Sequence, residues 1–289
     1  LLEKSINNSI IDDSKTISLA LSGGIDSTLI LSLLKKTHPK LHIHAYSVKF
    51  SDSIDETLQA KKIAEHFDIE HTIIEIENFL EELPKSISIT KLPFWDLHWY
   101  YVAKNAKKSS DYLASGDGGD ELFGGYTFRY QKYLTLTANQ ASVAEKIDSY
   151  LQCHERDSVP DQKNLFGKNI PFSWNKIHKK LANYFNNSLE LIDQVFLADF
   201  NGKLLYNFAI VNSTINNEFN LHPITPLLSD EIIQIASHMP NNKKYDQKTN
   251  LGKLPLRNIL EQFGLLHLIS KEKFGFSVNT INFWNNHGK

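Results

Sequence analysis

The chain has 289 residues, 41% hydrophobic and 22% charged, with 31 Lys and Arg against 33 Asp and Glu for a formal net charge of −2. That length supports one large domain or two smaller ones with a full core, and the near-neutral balance excludes a general electrostatic nucleic-acid binder. No apolar run approaches the roughly 18 residues of a membrane span, and no signal-peptide pattern opens the chain. The single cysteine, Cys153, rules out an internal disulfide and points to a reducing, cytoplasmic setting. The chain opens Leu1-Leu2-Glu3 and its one methionine is Met239, which leaves open that residues precede Leu1.

Leu2, Ile6, Ile10 and Ile11 recur at helical spacing, and Thr16 to Leu21 reads as a short buried strand. After a Ser22-Gly23-Gly24 turn, the apolar run Thr28 to Lys36 predicts a helix. His42 to Val48 is a second strand, Asp52 to Phe67 a helix with an acidic first turn, and His71 to Ile76 a third strand. A helix is expected from about Asp96 to Lys108, and Asp111 to Ala114 leads into Ser115-Gly116 as a fourth strand. Alternating strands and helices predict an α/β protein with a doubly wound, mostly parallel sheet. Residues 131 to 160, 181 to 219 and 229 to 264 read as helical with no further clear strand, broken by Pro223, Pro226, Pro240 and Pro255. The expected division is an α/β region over 1–150 and a helical region over 151–289 that completes the site.

Both glycine-rich loops fall at strand carboxyl ends, where open α/β sheets bind ligands. In Ser22-Gly23-Gly24-Ile25-Asp26-Ser27 the glycines let backbone approach an anion, and the following helix start adds partial positive charge. A capped turn is the competing account, with Asp26 or Ser27 as the cap. Asp26 is out of place beside phosphate unless Mg2+ lies between them, since Mg2+ is commonly held by one or two carboxylates plus phosphate oxygens. The second loop, Ser115 to Tyr126, holds three acids, Asp117, Asp120 and Glu121, among five glycines, and its spacing does not fit a calcium loop.

Ser-Gly-Gly-x-Asp-Ser after a strand resembles the pyrophosphate-binding motif of the N-type ATP pyrophosphatases. The second loop, Ser115-Gly116-Asp117-Gly118-Gly119-Asp120-Glu121-Leu122-Phe123-Gly124-Gly125-Tyr126, is similar to a segment of the asparagine synthetase family, which includes β-lactam synthetase. Ala45 to Val48, Asp55 through His66 and His71, and Lys271 to Phe276 resemble further family segments, so the likeness runs with gaps from about residue 2 to 284. The resemblance implies an adenine-nucleotide α-hydrolase type of fold. It also implies an ATP-dependent amide-forming ligase that adenylates a carboxylate and releases AMP and pyrophosphate. By position, Ala20, Ser22, Gly23, Gly24, Asp26 and Ser27 would cradle ATP, with Val48, Ser115 and Gly116 at its adenosine part. Asp26 and Asp120 would bind Mg2+, Lys273 would neutralise pyrophosphate and intermediate, and Asp117 would be the base for the attacking amine, where the family usually has glutamate. The implied partners are a small-molecule carboxylate, ammonia or an amine, a glutaminase domain or subunit, and a second copy in a homodimer. Nucleic acid and membrane are not among them.

Besides Asp117, the pattern breaks further along the chain. The family's Asp-x-x-Ser-Met…Leu-Glu-x-Arg-x-Pro-Phe-Leu-Asp aligns with Ser213 to Asn217 and Leu221 to Ser229, keeping Pro226 and Leu228 but losing the charged positions. That puts aspartate as acceptor in doubt. His222 is a polar substitute there, although a lone histidine is more often structural. Three alternatives follow: the same adenylation of another carboxylate in specialised metabolism, a non-catalytic AMP- or ATP-binding homologue, and a tRNA-modifying adenylase. The last lacks a basic-aromatic patch. The aromatic run Leu92 to Tyr101 reads as core, and Lys104 to Lys108 and Lys176 to Lys180 as solvated helix faces.

Overall fold

The computed structural model describes residues 1–10, 12, 15–51, 55, 57–92, 97–154, 164, 171–269 and 280–288. Five strands, β1 (Thr16–Ala20), β2 (His42–Phe50), β3 (Glu70–Ile76), β4 (Tyr112–Ala114) and β5 (His222–Ile224), form one sheet of order β3-β2-β1-β4-β5. Every neighbouring pair is parallel. The predicted sheet is therefore present. The three inner residues of β1 are buried, as expected for a strand at the centre of a parallel sheet covered on both faces. Its one buried polar side chain, Ser18, donates to the Ala106 carbonyl at 3.1 Å.

Helix α1 spans Leu2–Ser9, α2 Ile25–Thr37, α3 Thr57–His66, α4 Leu83–Thr90 and α5 His98–Ala106. Helix α2 starts three residues earlier than the apolar run suggests, directly behind the glycine turn. Asp55 accepts from the Thr57 amide at 3.0 Å just ahead of α3, while residues 52–54 and 56 of the predicted helix lie outside the described residues. Trp99, Tyr100 and Tyr101 pack with Tyr46, Val48 and Phe50 of β2 and with Val211 and Ile215, so this part of the aromatic run is core, whereas Leu92 at its start is exposed. Lys104 is less solvated than expected, because its ammonium pairs with Glu82 at 2.5 Å.

Strand β5 was not expected. It is three residues long with Pro223 at its centre, and it lies at the sheet edge, where a missing amide is tolerated. The His222 amide still donates to the Asp111 carbonyl at 2.7 Å, and Ser115 extends the pairing by donating to Ile224 at 3.0 Å.

The chain divides into two compact units: 1–118, 209–235 and 256–289, and a second of 119–208 and 236–255. This differs from the expected division at about 150, because the chain leaves the sheet-bearing unit after Gly118 and returns at Ala209 to lay down β5. The second unit is helical and has its own core of Tyr126, Tyr130, Tyr133, Ile147, Phe185 and Phe196 among others. It contains a π-helix over Asp199–Phe208, a form that recurs at functional sites.

Candidate active site

The sheet order reverses beside β1: β2 and β3 lie on one flank, β4 and β5 on the other. The crevice beyond the carboxyl ends of β1 and β4 is thus the switch point, where open α/β sheets take ligands. Ser22–Ser27 leaves β1 there, and Ser115-Gly116 leaves β4. The two segments touch. A Cβ on Gly116 would lie 2.6 Å from the Asp26 Cβ and 2.9 Å from the Ser27 amide nitrogen, so only a bare backbone passes.

In the first loop, Gly23 has φ +76°, and a Cβ there would lie 2.9 Å from the Ala60 nitrogen on α3. Gly24 caps α2, with Thr28 Oγ1 donating to its carbonyl at 2.7 Å. The serines bond to the loop itself: the Ser22 amide donates to Ser27 Oγ at 3.2 Å and the Gly24 amide to Ser22 Oγ at 3.3 Å. The turn is therefore self-supporting. Because the first intrahelical bond runs from Thr28 N to Gly24 O, at 3.2 Å, the preceding amides lie at the positive end of α2. Asp26 stands in that first turn, and Arg257 lies within electrostatic reach of it. Burial lowers the Arg257 pKa and the Asp26 charge opposes that. Ala20 and Val48 lie on β1 and β2, and Val48 is buried opposite Ile74 of β3.

Ser115 is buried, and the Asp117 amide donates to its hydroxyl at 3.5 Å. Asn212 Nδ2 donates to Asp117 Oδ2 at 3.0 Å. Burial pushes the Asp117 carboxyl above the usual carboxylate range; bonds from Asn212 and Ser115 and the charge of His98 pull it back.

The rest of the acidic loop belongs to the second unit. There Lys253 Nζ sits 2.7 Å from Asp120 Oδ1, with only 7% of the lysine side chain exposed. Gly125 is bare for that pair, since a Cβ would fall 1.8 Å from the Asp120 oxygen. Glu121 is buried and accepts from the Tyr126 hydroxyl at 2.5 Å. The Lys203 ammonium sits 3.5 Å over the Tyr126 ring, and the Arg129 guanidinium 4.5 Å from it. Burial pushes Glu121 up and Lys203 down, each opposed by the other's charge.

The structure thus brings Ser22, Gly23, Gly24, Asp26, Ser27, Ser115 and Gly116 together and places Asp117 on the following residue. Lys273 lies outside the described residues. Sequence reading missed Lys253, Arg257 and Asn212. Lys253 precedes the helix Leu254–Gln262 with φ +57°, and Arg257 lies within that helix. No signal pointed to Asn212. Among the described residues no group of three or more His, Cys, Asp or Glu side chains is arranged to hold a metal. Asp26, in the first turn of α2 behind the glycine turn, is a single carboxylate of the kind that holds Mg2+ together with phosphate oxygens.

A parallel sheet with two glycine-rich loops and a helix start at its switch point defines an open α/β protein. The family model described as asparagine synthase matches residues 1–287, and the chain belongs to that family. It is 28% identical over 306 residues to the glutamine-hydrolyzing asparagine synthetase 1 of Bacillus subtilis, covering 91% of this chain and 48% of that protein. It is 30% identical over 129 residues to the glutamine-hydrolyzing asparagine synthetase of Gallus gallus, covering 39% of this chain and 22% of that protein. The chain spans about half the length of the first relative. Among solved structures, an NH3-dependent NAD synthetase from Campylobacter jejuni aligns with a TM-score of 0.30 at 14% identity, covering 83% of this chain and 93% of that one. No helix among the described residues is long and apolar enough to cross a membrane.

Proposed function

We propose that the protein is an ATP-dependent amide-forming ligase that adenylates a carboxylate, releases pyrophosphate and passes the acyl group to ammonia or another amine. The observation that carries this reading is the contact of Gly116 with Asp26, which puts the two glycine loops against each other at the switch point. Ser22 to Ser27 bind the pyrophosphate end of ATP through backbone amides and hydroxyls. Ala20, Val48, Ser115 and Gly116 lie along its adenosine part. Asp26 would hold Mg2+, which would supply charge neutralisation at the phosphates, while Asp120, the second carboxylate that the resemblance implies for it, is paired with Lys253 within the second unit. Arg257 and Lys273 offset further negative charge, and Asp117 takes the proton of the amine.

The lost charges between Ser213 and Ser229 support a carboxylate other than aspartate. Ser213 is exposed on its helix, its hydroxyl turned back to the Ile210 carbonyl at 3.1 Å. A glutaminase domain or subunit and a cytoplasmic setting complete the reading. Exchange of labelled pyrophosphate into ATP across a panel of carboxylates tests it. The expected result is exchange with one class of acid, together with AMP as product; ADP and phosphate as products would overturn it.

A further inference from the structure

Asn212 sits on the helix Ala209–Glu218, between the buried side chains of Val211 and Ile215. That helix packs on α4 and α5, and Trp99 Nε1 of α5 donates to Asn216 Oδ1 at 3.0 Å. The Asn212 amide is therefore presented from a rigid element. Its Nδ2 reaches Asp117 Oδ2 at 3.0 Å.

We propose that Asn212 is a positioning residue that occupies Asp117 Oδ2 and leaves Oδ1 aimed at the incoming amine. The proposal rests on the reading of Asp117 as general base. In that step the amine nitrogen forms a C–N bond to the acyl carbon, and the acyl C–O bond to AMP breaks with its electron pair leaving on the phosphate oxygen. The amine proton passes to Asp117. The partner's neutrality matters. An arginine would pull the carboxyl down by about 1–3 pH units and weaken it as a base, whereas an amide orients it at a smaller cost. The groups facing the carboxyl are Asn212 on its helix, Ser115 behind it and His98 at the start of α5. Aspartate is one methylene shorter than the glutamate usual in the family, so its direction depends more on such a partner.

The test follows the Asp117 carboxyl by NMR in 13C-carboxyl-aspartate protein, assigned with Asp117→Asn, for wild type, Asn212→Leu and Asn212→Asp. Loss of a bond to a charged group raises the midpoint by about one pH unit or more in Asn212→Leu. Asn212→Asp raises it further by adding a like charge. In turnover, the acidic limb of amide formation shifts by the same amount, while pyrophosphate exchange changes by less than about twofold. A midpoint unmoved in both variants overturns the inference, as does an equal fall in exchange and amide formation with an unchanged pH profile. Absence of exchange with every carboxylate overturns the ligase reading instead, and the inference falls with it whatever the NMR midpoint.

Discussion

The two glycine-rich loops have similar compositions and opposite electrostatics. In the first, backbone amides donate to the hydroxyls of Ser27 and Ser22, the Thr28 hydroxyl donates to the Gly24 carbonyl, no side chain caps the helix start, and the lone acid stands in its first turn. In the part of the second that belongs to the helical unit, the acids are matched: Asp120 with Lys253, and Glu121 with Tyr126 and the charge of Lys203. Glycine serves different ends in each. Gly116 is bare so that backbone can lie against Asp26, and Gly125 so that an ion pair can close. A glycine-rich loop is thus an open cradle or a neutralised scaffold according to what surrounds it.

The comparison breaks most visibly at Lys253. Lys253→Met removes the ammonium 2.7 Å from Asp120 Oδ1 and costs about 2 kcal/mol in urea unfolding, less than for a fully enclosed pair because Asp120 keeps 22% of its side-chain surface. The double variant with Asp120→Asn regains part of that loss; equal loss in both would mean the pair is not coupled. Next is the pH dependence of the second loop. Burial raises Glu121 from 4.5 to about 7, so the folded state binds its proton more readily than the unfolded chain. Its contribution to stability is then full below about pH 4.5 and is lost as pH rises through about 7. Glu121→Gln flattens that slope by about 3 °C in thermal midpoint between pH 5 and 7.5, and an unchanged slope would contradict the assignment. Smallest is Ser27→Ala, which removes the acceptor of the Ser22 amide and costs about 1 kcal/mol. A raised KM for ATP at unchanged kcat would show that the hydroxyl also binds ground-state nucleotide.

Strands β1 to β4 were legible because each is a short stretch rich in apolar, β-branched or aromatic residues that contains neither Gly nor Pro. Strand β5 was not, since three residues around Pro223 carry no periodicity and owe their pairing to β4 alone. Helix α4 was overlooked although Pro84 stands in its first turn, a common helix start. The glycine loops were readable because backbone demands leave residue types behind. Lys253, Arg257, Lys203 and Asn212 were not, because their meaning comes from partners distant in sequence: Lys253 faces Asp120, and Asn212 faces Asp117. The division into two units was hidden for the same reason, as a chain that leaves a unit and returns marks neither crossing in its composition.

Binding of Mg-ATP to wild type and Gly116→Ala, by calorimetry with circular dichroism as the check on folding, tests the central claim most directly. Gly116 needs no special backbone angle, so alanine acts only through its Cβ, 2.6 Å from that of Asp26. Forcing the loops apart is predicted to weaken Mg-ATP at least about tenfold while the fold persists. Equal affinity in a folded Gly116→Ala protein would contradict the account.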